Sequence, residues 1–451
     1  MRFLKVQGKQ TAGKTLSLGI QHVLAMYAGA VLIPLIVGAA MGMDQKHLAY
    51  LVSIDLAASG IATLLQVWKT RYFGIGLPVV LGCTFTAVSP MIAIGKHYGM
   101  AGICGAILVS GLIVLIIAPF FSRVVKIFPP VVMGTVVTVI GVTLIPVAIN
   151  NMGGGQGSPE FGSVKNLILS FGVLAIIIIL NRLFTGFMRS ISILLGIIIG
   201  TVVAAFMGMV DLNSVTQAQW IQGLKPFGFG YPTFHVDAII TMTIVAIVSL
   251  IESTGVFFAL SEICEEPIDK KALSRGYRSE GLAVVVGGLF NAFPYTTFSQ
   301  NVGLVQMTKV KSRRVIYVCG FILIILGFIP KISALTILIP SAVIGGAMIA
   351  MFGMVVASGV RMLSRVDFTK NENLLIIACS IGLGLGVTVQ PALFAKLPVS
   401  IQIITSNGIV AGSLTAVILN VVFNILGKKK SHEEIDRAND KVAASIEPNH
   451  K

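Results

Sequence analysis

The sequence predicts an all-α polytopic membrane protein of about fourteen transmembrane segments in two inverted seven-span repeats. Three observations predict it. Apolar runs of roughly 17 to 25 residues recur from Ser17 to Leu426, each long enough to cross about 30 Å of hydrocarbon as a helix. Only 11% of the residues are charged and 55% are hydrophobic, whereas a soluble domain carries about 25% charge. The basic residues also gather on one side of the spans.

Taken in order, the spans read 17–40, 47–67, 73–95, 101–121, 129–149, 164–181, 190–210, 236–259, 279–293, 297–308, 315–330, 333–358, 373–390 and 398–426. An even number returns both termini to one side. On that side fall 27 of the 33 lysines and arginines, in short loops and in the tail. This positive-inside pattern makes the termini cytoplasmic and places the chain in the cytoplasmic membrane. The formal charge of +15 therefore reads as topology and contact with lipid headgroups, and excludes nucleic acid as a partner. The basic stretch before Ser17 precedes a run longer than a signal core, followed by many more, so it is the cytoplasmic N-terminus (1–16) of a first span. Cys83, Cys104, Cys264, Cys319 and Cys379 form no CxxC pair and no metal-ligand spacing; they read as small buried hydrophobes. No metal, cofactor or catalytic residue is expected, since HExxH, GxSxG and P-loop patterns are absent.

Residues 151–163 and 211–235 are Gly-, Pro- and polar-rich loops on the non-cytoplasmic side, and 427–451 reads as a disordered cytoplasmic tail. FPPVVMGTVVTVIG (128–141) resembles IPSAVIGGAMIAMFG (339–353), with Pro129 answering Pro340 and Gly134 answering Gly345. Seven spans per half is odd, so the second half is upside down relative to the first, an arrangement suited to an alternating-access carrier.

The third and tenth segments break the run of long helices: GIGLPVVLGCTFTAVSP (74–90) and FPYTTFSQNVGLVQMTK (293–309) carry Pro, Gly and β-branched residues. Interrupted backbone at membrane depth is tolerated only inside protein or along a cavity, so paired broken segments point to a binding site.

Ionisable groups within the spans are few: His22, Asp55, Glu252 and Glu280. A central carboxylate costs about 2.5 to 3.5 kcal/mol on insertion scales, so each invites a role. Glu252, in IVSLIESTGVFFAL with no base within a helical turn, is the strongest candidate. It can accept a substrate N–H when ionised and carry a proton when neutral. Glu280, at the cytoplasmic start of the ninth span, pairs with Arg278 or with donors freed by the broken tenth span, in coupling or in structure. His22 relays a proton or hydrogen-bonds across helices. Asp55, before the small-residue run AASG, has a structural or indirect coupling role. Gln300 and Asn301 point about 100° apart on a helix, so one faces a ligand. Gln300 is assigned that task, because a primary amide sets an acceptor beside a donor and matches the edge of an oxidised purine or a pyrimidine. Asn301 fastens the segment. Phe85 and Phe298 occupy like places in the two broken segments and are candidates to sandwich a flat ring.

TFSQNVGLVQMTK (297–309) resembles the signature of the nucleobase/ascorbate transporter family, Q-N-x-G-x-x-x-x-T, with Gln300, Asn301, Gly303 and Thr308 all in place. QHVLAMYAG (21–29), LPVVLGCTFTAVSP (77–90), IESTG (251–255) and SEGLAVVVGGLFNAFPYTTFSQN (279–301) resemble further blocks of that family, nearest to its bacterial xanthine permeases. The resemblance implies a core of spans 1–4 and 8–11 (17–121 and 236–330), a gate of spans 5–7 and 12–14 (129–210 and 333–426), and short strands in spans 3 and 10. It implies proton symport of a purine and a homodimer. It also implies substrate contacts at Glu252, Gln300, Phe85, Phe298 and Ser299, with His22, Glu280 and Asn301 as further polar positions. Many members carry Asp where this chain has Val256, so the wall near Glu252 is less polar here. The uracil-selective branch tends to Glu at the Gln300 position, which tilts the expectation toward xanthine or urate. The alternatives are a transporter of uracil or another nucleobase and an anion carrier of the same inverted architecture, which an intramembrane carboxylate at the binding point disfavours.

Overall fold

In lipid, a backbone must satisfy its polar groups within the protein, which favours helices. Among the described residues of the computed structural model, nine helices are long and apolar enough to cross a bilayer, or ten counting one bent pair. The described residues are 11–124, 128–155, 157–210, 215–216, 218–398, 401–402, 405 and 407–426. The expected tail 427–451 and most of the segment 1–16 lie outside them.

Helix α1 (Ala12–Ala40) starts at Thr11, whose hydroxyl accepts from the Lys14 amide; α2 (Gln45–Val67) starts at Asp44, whose carboxylate accepts from His47. The chain then runs non-helically into β1 (Leu81–Cys83), a 3-10 turn (Phe85–Ala87) and α3 (Val88–Val124). Gly99, at φ 66°, bends α3 so sharply that it comprises two helices. Next come α4 (Pro130–Met152), α5 (Val164–Leu183), the short α6 (Gly186–Ser190) and α7 (Ser192–Phe206). The second half repeats the theme with α8 (Val236–Cys264), α9 (Lys270–Leu289), β2 (Tyr295–Thr297) and α10 (Ser299–Thr308). It finishes with α11 (Arg313–Gly327), α12 (Pro330–Ile337), α13 (Ser341–Leu363), α14 (Asn371–Val389) and α15 (Gly408–Asn420), the last continued by a π-helical turn (Val421–Leu426).

The largest departures from the predicted span boundaries are three. The ninth helix begins at Lys270, because the Asp269 side chain accepts from the Ala272 amide at 2.6 Å and caps a turn whose many cations disguised it as a loop. The stretch 333–358 is divided: α12 turns 80° from α11, and α13 starts afresh after Pro340. The last span starts at Gly408, where Asn407 caps it. Cys379 is also exposed, on an α14 that buries few of its residues; the other four cysteines are buried.

Packing separates two groups of helices. One joins α1 and α2 to α11, and α3 to α8 and α9; the other joins α4 to α13, α14 and α15, and α5 to α7 and α13. Glycines permit the closest approaches. Gly60 on α2 and Gly320 on α11 each face the other's carbonyl oxygen, and Gly327 faces Ser53 and Ala57. Gly320→Leu is expected to wedge α2 from α11 and cost about 1–3 kcal/mol, seen as a lower melting temperature of the purified protein. Gly172→Ala, whose added methyl meets nothing within 4 Å, should leave that temperature unchanged.

Candidate functional site

The site is built where the two interrupted segments meet. Strands β1 and β2 pair antiparallel, Leu81 opposite Thr297 and Cys83 opposite Tyr295. Two further backbone bonds extend the crossing, from the Thr84 amide to the Pro294 carbonyl (2.9 Å) and from the Phe298 amide to the Val80 carbonyl (3.0 Å). Each strand feeds directly into a helix, so the starts of α3 and α10 lie on either side of one short sheet. A helix start leaves backbone N–H groups without intrahelical partners. No side chain caps α10, so such donors are free at Ser299 and Gln300 to meet a ligand acceptor.

Small polar side chains lash the crossing to its neighbours. On α2, the Thr63 hydroxyl accepts from the Leu81 amide at 3.0 Å and donates to its carbonyl at 3.2 Å. Asp55, 1% exposed, accepts from the Phe293 amide at 2.9 Å and from the Tyr295 hydroxyl at 3.4 Å, and so pins the entry to β2. On α8, Ser249, Glu252 and Ser253 share one face at helical spacing. Ser249 meets Thr84 at 3.5 Å, and Ser253 meets Thr296 at 3.1 Å and Thr297 at 3.2 Å. Glu252 stands between these anchors. It accepts from the Thr86 hydroxyl at 3.5 Å, a long bond that leaves most of the carboxylate's capacity free.

Gln300 is half-buried in the first turn of α10, and its amide makes no hydrogen bond among the described residues. Ser299 beside it is exposed. Asn301 is turned the other way: it is 1% exposed, and its amide nitrogen lies 3.0 Å from both His22 Nδ1 and the His22 carbonyl. That contact ties α10 to α1. Phe298 is 4% exposed, its ring seated in a notch between Gly29 of α1 and Gly82 of β1, where any Cβ would strike it. Phe85 is half-buried and meets Phe352 of α13 edge-on at 5.3 Å, which links the two helix groups across the site. The two phenylalanine rings therefore have different surroundings, one in a glycine slot and one against the opposing group. Farther along the first half-helix, Ser89 lines a cavity of about 170 Å³ with Thr143, Thr388 and Asn407.

Glu280 is corrected by the structure. It lies in the middle of α9, 2% exposed, with neither oxygen hydrogen-bonded and no ion pair to Arg278. The extra turns at the front of α9 carry it inward, so that it faces Ser253 and the Glu252 side of the site. Residue-type reasoning missed Ser249, Ser253, Thr63, Thr84 and Thr86. For the two serines the signal was the spacing in SLIES (249–253), where they flank the carboxylate on its own helical face; the three threonines left none. Among the described residues, no cluster of three or more His, Cys, Asp or Glu is placed to hold a metal.

Asp55→Ala removes the acceptor for the Phe293 amide and the Tyr295 hydroxyl, at and just before the start of β2, and is expected to destabilise the protein by about 1–3 kcal/mol. Asp55→Asn, which retains a carbonyl oxygen, should lose less; equal melting temperatures for the two variants would count against this pinning role.

Comparison with known proteins places these features in context. A model described as "Permease family" matches residues 13–393. The nucleobase transporter PlUacP of Paenibacillus larvae is 63% identical over 93% of this chain and 96% of its own length. The xanthine permease of Bacillus subtilis is 61% identical over 96% of this chain and 99% of its own. The uric acid permease PucK of the same organism is 57% identical over 92% and 96%. Among solved structures, the transmembrane domain of a cyanobacterial bicarbonate transporter, BicA, superposes with a TM-score of 0.62 at 16% identity. The match covers 86% of this chain and 99% of that one, a likeness of fold.

Proposed function

The chain belongs to the nucleobase/ascorbate transporter family and is a multi-pass permease rather than an enzyme, and from that premise we propose that it imports an oxidised purine, xanthine or urate, by proton symport. The observation that carries the proposal is the position of Glu252, a carboxylate with spare acceptor capacity facing the paired starts of two half-helices. A purine dione offers N–H donors to Glu252 and an alternating donor and acceptor edge to Gln300. Its carbonyl oxygens suit the free amides at Ser299 and Gln300. In this reading Phe85 closes over the ring from the side of the opposing group, and Phe298 forms the floor. Asn301 and His22 hold α10 against α1, while Glu280 and Asp55 support the site. The buried Val256, one turn from Glu252, makes that wall apolar. The names of the similar proteins support purines as the substrate class.

The same reading divides the chain into a core (17–121 and 236–330) and a gate (129–210 and 333–426), fourteen spans in two inverted sevens. The pattern of helix contacts supports it. Exchanging first-half spans for their second-half counterparts turns the α2–α11 contact into that of α9 with the far part of α3, and α1–α11 into α8–α3. It turns α5–α7 into α14–α15, and α5–α13 into α14–α4. Each image is itself a contact, and β1–β2 and α4–α13 map onto themselves. Such an arrangement suits movement of the core against the gate, with the termini cytoplasmic, the inner membrane as the location and a homodimer as the working unit.

Uptake of labelled xanthine, challenged with excess urate, guanine, hypoxanthine and uracil, tests the proposal. Strong competition by urate, weak competition by uracil and collapse with a protonophore are expected. Competition by uracil alone would reassign the substrate, and protonophore-insensitive uptake would remove proton coupling.

A further inference from the structure

At one end of the helices, away from Glu252 and Gln300, six cations line a single cavity of about 640 Å³: Arg71, Arg123, Lys270, Lys271, Arg275 and Arg278. They come from three elements, the link after α2, the last turn of α3 and the first turns of α9. Charges scattered over a membrane protein's surface need no explanation beyond topology. These converge on one concave space, and no carboxylate lines it. The nearby acids are engaged elsewhere. Glu266 pairs with Lys69 at 3.3 Å, and Asp269 caps α9 through the Ala272 amide. None of the six cations takes part in an ion pair among the described residues. Glu280, two residues from Arg278, is buried on the other side of its helix and forms no ion pair with it.

Some of these side chains are held in place. Arg275 Nε donates to the Gly74 carbonyl at 3.4 Å, and the Arg71 guanidinium lies 5.5 Å from the centre of the Tyr72 ring. Ser274 adds a hydroxyl to the lining, and α9 points its N-terminal end at the same space. Uncompensated positive charge of this density calls for an anion. Guanidinium and ammonium groups drawn from several directions suit the tetrahedral oxygens of a phosphate. The cavity also opens beside lipid-facing surface: Phe120 and Ile116, on α3 immediately before Arg123, are 66% and 77% exposed. They form a track along which an acyl chain can lie while its headgroup enters the cavity.

We propose that this cavity is a binding site for a phosphate group, carried either by an anionic phospholipid headgroup or by free inorganic phosphate. Occupancy ties α9, and with it Glu280, to α2 and α3. The site is independent of the transported substrate.

The test is the melting temperature of the purified full-length protein in detergent. It is measured with added phosphatidylglycerol, phosphatidylcholine, oleate or inorganic phosphate at matched ionic strength. Phosphatidylglycerol should raise it by about 2–4 °C over phosphatidylcholine and oleate. The combined variant Arg71→Gln, Lys270→Gln, Lys271→Gln and Arg278→Gln should lose that rise while remaining monodisperse. If it does not fold, the pair Lys270→Gln and Lys271→Gln should reduce the rise. A rise with inorganic phosphate assigns the site to the free anion. Equal shifts with phosphatidylcholine or oleate, or a variant that keeps the full response, would overturn the proposal.

Discussion

Xanthine uptake should fall by about 100-fold or more when Glu252 is replaced by Gln, with the protein still inserted at normal abundance. The substitution preserves shape and volume, so the mesh around it, Ser249 to Thr84 and Ser253 to Thr296, stays in place. What changes is chemistry. An amide presents only one acceptor atom where the carboxylate had two, carries no charge, and neither gains nor loses a proton across the working pH range. In the proposed mechanism both the grip on a substrate N–H and the route for a coupled proton go with it. Glu252→Asp keeps the charge but withdraws it by one methylene, and should retain a fraction of the rate. The measurement is initial uptake of labelled xanthine beside an immunoblot of the membrane fraction. Normal uptake by the Gln variant would end the assignment.

A second large effect is expected at Gln300, and it should appear in affinity and selectivity. Gln300→Ala deletes a donor and an acceptor that the protein itself does not occupy. The cost is therefore borne by the ligand, and KM for xanthine should rise about 10- to 100-fold while the maximal rate falls less. Gln300→Glu leaves an acceptor pair only, which penalises a ligand carbonyl at that place and favours an edge with two N–H groups. Inhibition constants for xanthine, urate and uracil read this directly. An unchanged order of the three in both variants would show that Gln300 does not face the ligand. Asn301→Ala supplies the contrast, because its amide is bonded to His22. It should lower the melting temperature without reordering the ligands.

Much of this architecture was legible in the chain itself. The interrupted segments announced themselves through Pro, Gly and β-branched residues. Glu252 stood out because a carboxylate in an apolar span is costly to insert. Helical geometry separated Gln300 from Asn301 by about 100°, and the structure turns Asn301 inward onto His22 while Gln300 stays half-buried. The front of α9 was illegible for a definite reason: KKALSRGYRS has too many cations to read as membrane helix, and only the Asp269 cap and the packing against α3 reveal it. That hidden stretch moved Glu280 from a loop margin to the interior and freed Arg278 to line a basic cavity. The surroundings of Phe298 were equally hidden. Its slot is made by Gly29 and Gly82, far apart in the chain, and a glycine notch leaves no periodic trace in a sequence.

The pairing of β1 with β2 also has a consequence for biogenesis. Leu81 finds its partner only at Thr297, more than two hundred residues later. Synthesis proceeds at about 5–20 residues per second, so the first strand waits roughly 10–40 s before the second exists. Through that interval the backbone of β1, already committed to the bilayer, has Thr63 of α2 for company but no strand beside it. The first half alone therefore leaves one edge of β1 without its backbone partner, and only the arrival of β2 completes the two-stranded crossing between the half-helices.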